Sequence, residues 1–223
     1  GKEDNIVAAN VGIAAIGGDV KLDNPYNVIG NVDIMAVGGS LALAVSNPEG
    51  FNVDMGGFTN KKGGDVSFTN NNGSVNITTE DIENPEEQDP ANINGSLFVT
   101  AKKDKDTDTA ENADINNKGI LNATGTIEFT AVDGVINSNT VNGKDVIMQA
   151  IEQELENIIA KDSVTLNGDR IHGQNITQNT EADGDLIINT DSNSGSGPIE
   201  SLVIDKIDAN DKSVFTELWA VEA

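Results

Sequence analysis

The sequence predicts an all-β fold, a right-handed parallel β-helix (solenoid) running through residues 1–223 as a single domain. Three observations predict it. The first is a phrase written eight times: glycine, any residue, an aliphatic, any residue, a second large apolar residue. Its copies start at Gly18, Gly30, Gly39, Gly64, Gly73, Gly95, Gly125 and Gly184, and looser copies start at Ser163 and Ser201. The second is spacing. Gly18 to Gly39 is 21 residues, Gly73 to Gly95 and Asp162 to Gly184 are 22, and Gly39 to Gly64 is 25, the length of one coil built from two or three short strands. The third is composition: 37% of residues are hydrophobic but only 4% are aromatic, so the core is aliphatic, as a narrow stacked interior requires.

Each copy of the phrase alternates apolar and polar residues, which is a short strand with one face buried. The preceding glycine permits a positive φ for the turn into the strand. Gly30 with Gly39, and Gly64 with Gly73, are 9 apart, a distance that suits successive strands on different faces of one coil. A β-sandwich also places short strands at such intervals, but does not need such similar phrases or a recurrent interval near 22. About eight coils at about 4.8 Å of rise each make a rod on the order of 40 Å long.

Residues 5–79 carry the densest repeats. Two insertions follow, 80–94 and 102–118, both polar and charged, and both read as solvated loops on enlarged coils. A third insertion covers 143–161. Within it Val146, Ile147, Ala150, Ile151, Leu155, Ile158 and Ile159 recur at three and four residues, which predicts one amphipathic helix near 145–160. Strands resume through Leu166, Ile176, Ile187 and Ile204. Ser192–Pro198 reads as a flexible turn. Ser213–Trp219 reads as a last strand or a cover over the end of the stack.

Composition narrows the function classes. Net charge is −24, from 37 acidic and 13 basic residues, so nucleic acid and anionic membranes are not expected as partners. No apolar run is long enough to span a bilayer, and membrane insertion is not expected. The polar start, Gly1-Lys2-Glu3-Asp4-Asn5, carries no signal sequence, and Gly1 reads as a tag scar on an excerpt of a longer chain. Cysteine is absent, which removes disulfides and thiolate metal sites.

The one histidine and the one arginine lie together in Gly168-Asp169-Arg170-Ile171-His172-Gly173. Asp169, Arg170 and His172 could cleave a polysaccharide, but a glycine-flanked turn is where polar residues ordinarily collect. Asp104-Lys105-Asp106-Thr107-Asp108 imitates a calcium loop, yet Thr109 and Ile115 stand where such a loop requires Gly and Glu. No catalytic, cofactor-binding or metal-ligating residue is assigned, and no cofactor is expected.

Gly39-Ser40-Leu41-Ala42-Leu43 and Gly73-Ser74-Val75-Asn76-Ile77, joined by Asn-rich turns, resemble the filamentous haemagglutinin-type bacterial exoproteins. Among these the likeness is to the leukotoxin-like filamentous adhesins. Asn47-Pro48-Glu49-Gly50-Phe51 is similar to the Asn-Pro-Asn-Gly turns of that family, with Glu49 as the departure. The resemblance implies a non-catalytic structural and adhesive segment, extracellular or on the bacterial cell surface. It implies export by an outer-membrane secretion partner and contact with a receptor or glycan on a host or neighbouring cell. The rivals are a polysaccharide-processing enzyme on the same scaffold and a β-sandwich surface domain.

Overall fold

A computed structural model describes residues 5–80, 87–104, 112–178, 184–189 and 201–208. Among these the chain forms strands and no helix. In order they are β1 (Val7–Ala15), β2 (Val20–Leu22), β3 (Val28–Val37), β4 (Leu41–Val45), β5 (Phe51–Asp54) and β6 (Val66–Asn70). Next come β7 (Val75–Thr78), β8 (Ala91–Ile93), β9 (Leu97–Ala101), β10 (Ile115–Ala123), β11 (Ile127–Ala131) and β12 (Val135–Gly143). The last are β13 (Val146–Gln149), β14 (Glu152–Ala160), β15 (Val164–Asn167), β16 (Arg170–Gln178), β17 (Leu186–Asn189) and β18 (Ser201–Asp208).

The strands alternate between two sheets. The long sheet runs β1-β3-β5-β7-β10-β12-β14-β16-β18, with β8 also paired to β10; the short sheet runs β2-β4-β6-β9-β11-β13-β15-β17. Every pairing between these strands is parallel. Parallel neighbours that are never adjacent in sequence define a solenoid, here of about eight turns, and not a sandwich. The coil length varies more than the phrases suggest. Val20 pairs with Leu41, 21 residues on, but Val66 pairs with Leu97, 31 on, and Val146 with Val164, 18 on.

Burial explains the alternation. In β6, β9 and β11 every second residue points inward, so Val66, Leu97 and Ile127 stack in one column and Phe68, Val99 and Phe129 in the next. Water is excluded from both columns, and each such side chain contributes about 1.5–3 kcal/mol of transfer free energy. The long strands bend once. In β14, Leu155 and Ile158 both point inward while Glu156 and Asn157 between them do not, and β16 repeats this at Gln174 and Asn175. Two successive outward residues put a corner into each of these two strands.

Most phrase glycines are demanded by coil-to-coil contact. Of the eight, Gly64 and Gly73 alone have positive φ, whereas a Cβ on Gly95 would lie 2.3 Å from the Gly64 carbonyl oxygen. Where the coils stack this tightly, a side chain from one coil caps the corner N–H of the next. Ser40 N donates to Asp19 Oδ1 (2.8 Å), and Ser96 N to Asp65 Oδ1 (2.9 Å).

The helix expected near 145–160 is not formed: the segment is β13, a corner and β14. The apolar spacing of three between Leu155 and Ile158 arises from the bend in a strand, not from a helical turn. Ile147 and Ile159 are only half-buried and Ile151 is exposed, so the supposed stripe does not share one face. Val146, Ile147, Ile151, Ile158 and Ile159 are β-branched and fit a pleated surface. Residues 143–161 are therefore coil, not insertion, in register with β11 and β12 before and β15 and β16 after.

The other two insertions are shorter than expected. From 80–94, Ala91–Ile93 is the buried strand β8; β7 and β8 are two halves of one long strand opened at the corner, and β10 pairs with both. From 102–118, Ala113, Ile115 and Asn117 are already buried. Residues 81–86 and 105–111, the Ser192–Pro198 turn and the Ser213–Trp219 cover lie outside the described residues.

Candidate functional site

The outer face of the long sheet carries a six-rung row of asparagines; shorter Asn–Asn pairs occur at Asn167–Asn189, Asn157–Asn175 and Asn92–Asn122. Strand register places Asn10, Asn31, Asn52, Asn76, Asn116 and Asn137 in one column, one per coil. Each amide Nδ2 donates to the Oδ1 of the preceding rung: Asn31 to Asn10 (2.8 Å), Asn52 to Asn31 (2.9 Å), Asn76 to Asn52 (2.8 Å), Asn116 to Asn76 (2.9 Å) and Asn137 to Asn116 (2.8 Å). The rung spacing of parallel strands, about 4.8 Å, lets an Asn side chain reach its neighbour. Only a group that both donates and accepts can propagate such a column, which selects the amide.

The column ends where the residue type changes. Glu154 is next in register and cannot donate as a carboxylate, so the row breaks. Glu154 Oε2 instead meets Nδ1 of His172 on the following coil, at 2.8 Å. Two residues away in the same register, Arg170 forms an ion pair with Glu152.

A second column stands beside the first. Gly12, Asp33, Asp54 and Thr78 are in register, each two residues beyond its Asn. Coils two and three thus carry the same tripeptide, Asn31-Val32-Asp33 and Asn52-Val53-Asp54, with Val buried and both polar side chains outward. Thr78 Oγ1 donates to Asp54 Oδ1 (3.3 Å), as does Gly56 N (3.1 Å). Among the described residues Asp33 and Asp54 form no ion pair. The two columns line a groove along the solenoid axis over the first four coils. A second stretch of groove lies further along the same face, lined by Asn116, Asn137, Lys118, Glu154, Glu156 and Gln174.

Of the residues singled out from sequence, Arg170 and His172 land on this face. Arg170 and His172 begin strand β16 and are not in a turn; only Gly168 and Asp169 turn the chain. The segment is not a turn on both sides, because Gly173 is an inward-facing position within strand β16. Each of the two bases is engaged by a glutamate of the neighbouring coil, Arg170 by Glu152 and His172 by Glu154. Of the calcium-like loop, Asp104 is described and 105–111 are not. Among the described residues no three His, Asp or Glu side chains gather as a metal cluster would need.

Sequence reasoning missed the asparagine row. Its signal was present, since Asn10, Asn31 and Asn52 recur at 21 residues and the Asn-Val-Asp tripeptide occurs twice. The interval then lengthens to 24 and 40, and the row is lost to any fixed period. Comparison with models of protein families, with curated protein sequences and with solved structures gives no match to this chain.

Proposed function

We propose that the chain is a non-catalytic structural and adhesive segment of a secreted or surface-attached bacterial filamentous adhesin of the filamentous haemagglutinin type. Its coil is right-handed, as nearly all crossovers between parallel strands of one sheet are. The observation that carries the reading is the outer face of the long sheet. Six coils present a continuous polar row in which each side chain is held by its neighbours, making a stiff, repetitive contact surface. A net charge of −24 keeps such a rod soluble and separate from its copies. Export passes through an outer-membrane partner, and the face meets a receptor or glycan on a host or neighbouring cell.

The test is antibody raised against residues 112–178, applied to intact and to lysed producing cells. Labelling of intact cells is expected. Labelling that appears only after lysis sinks the adhesive reading.

One observation favours the rival, a polysaccharide-processing enzyme: Glu154, Glu156 and Lys118 share the second stretch of groove. Release of reducing ends from a polysaccharide, abolished in Glu156→Gln, would establish it.

A further inference from the structure

The groove over the first four coils has a chemical pattern of its own. An asparagine amide has two N–H donors and two acceptor lone pairs on its oxygen. The ladder takes one of each from Asn31 and Asn52, and Asn31 gives its donors also to the Ala9 carbonyl (3.2 Å), leaving outward oxygen capacity at every rung and a free N–H at Asn52. Asp33 and Asp54 add acceptors two residues along each strand, about 7 Å away, and the unit repeats about 4.8 Å up the axis. A ligand matching this grid carries groups that both donate and accept, at a repeat of its own. Hydroxyl groups on a polymer do so.

Apolar surface stands beside the grid. Met35 (57% exposed) lies two residues past Asp33 on β3, with its methyl end against Gly12 of the Asp column. Of the large hydrophobic side chains exposed among the described residues, most fall within residues 7–35. Polar groups next to exposed apolar ones suit a ligand with C–H faces and hydroxyl edges, which is a carbohydrate. Charge then selects its class. With Asp33 and Asp54 unpaired by any cation among the described residues and a chain charge of −24, a polyanion is repelled.

We propose that the groove over the first four coils binds a linear, uncharged polysaccharide laid along the solenoid axis, its hydroxyls held by Asn31 with Asp33 and by Asn52 with Asp54. The inference rests on the adhesive reading and names the class of ligand for it. The test is affinity electrophoresis in native gels containing hydroxyethyl cellulose, glucomannan or β-galactan, with polygalacturonate as the anionic comparison. Retardation in a neutral gel is expected, weakened at least tenfold in the double variant Asp33→Ala, Asp54→Ala and unchanged in Thr130→Ala on the other sheet. Both carboxylates are outward, and an unchanged thermal melt shows that the double variant folds.

No retardation in any neutral gel, equal retardation of the double variant, or retardation by polygalacturonate alone each overturns the proposal. Beads coated with the chain separate this failure from that of the adhesive reading. Adherence of beads to cells without retardation in neutral gels removes the glycan groove and leaves adhesion standing. Retardation without surface labelling of producing cells removes adhesion and leaves the groove.

Discussion

Asparagine does two jobs in this molecule, and the difference lies in what water could replace. Asn70 is buried: its Nδ2 donates to the carbonyls of Asn47 and Ser74, both at 2.9 Å, and its Oδ1 accepts from Asn47 N (3.0 Å) and Asn72 N (3.2 Å). Asn70→Ala leaves four backbone groups short of a partner, and unfolding in urea is expected to show a loss of about 2–5 kcal/mol. Asn52 on the outer ladder makes equally short bonds, but solvent can take them over. Asn52→Ala is expected to cost less than about 1 kcal/mol in the same assay. Equal losses at the two sites would contradict this account of burial. Gly73 is constrained by backbone rather than by partners. Its φ is +133° and a Cβ would stand 2.3 Å from the Asn47 carbonyl oxygen. Gly73→Ala is expected to destabilise by about 1–3 kcal/mol or more, read from the shift of the urea midpoint.

At the level of the strand, β14 separates two descriptions of one stretch of sequence. As a strand it buries Ile158 fully and leaves Ile159 half-covered; as a helix it would put both on one stripe. Ile158→Asp is expected to cost more than about 4 kcal/mol, because it buries an unpaired charge, and Ile159→Asp about 1 kcal/mol or less. Circular dichroism and hydrogen exchange over residues 112–178 read the two variants, and equal damage would refute the strand register. The short sheet was the most legible part of the sequence. Its strands β2, β4, β6, β9, β11 and β17 each follow one of the phrase glycines, because a straight strand keeps a period of two throughout. The long sheet was harder to read. Its corner inserts a second outward residue, as at Glu156 and Asn157, and a period of two with one slip imitates a period of three to four. The polar row beside that corner escaped for a related reason: alternation identifies which residues face outward, but pairing across coils of 21, 24 and 40 residues decides which of them touch.

For the whole molecule, the stacked core and the charge oppose each other. The core is one continuous cluster from Ile13 to Ile188, and the chain around it carries a charge of −24. Raising salt from about 0.01 M to about 1 M shortens the screening length from about 30 Å to about 3 Å. The melting temperature is expected to rise with salt, by about 2–4 °C for each kcal/mol of repulsion relieved. A melting temperature that falls with salt would mean that ion pairs such as Lys144–Asp162 outweigh the repulsion. The asparagine ladder has a consequence at this scale too. All five of its bonds point from the higher-numbered coil to the lower, so their small dipoles add instead of cancelling. The row leads with N–H at Asn10 and trails with carbonyl oxygen at Asn137. The rod therefore has a compass written on its surface: a polymer with a reducing and a non-reducing end would meet two different ends in return, and would settle on it facing one way.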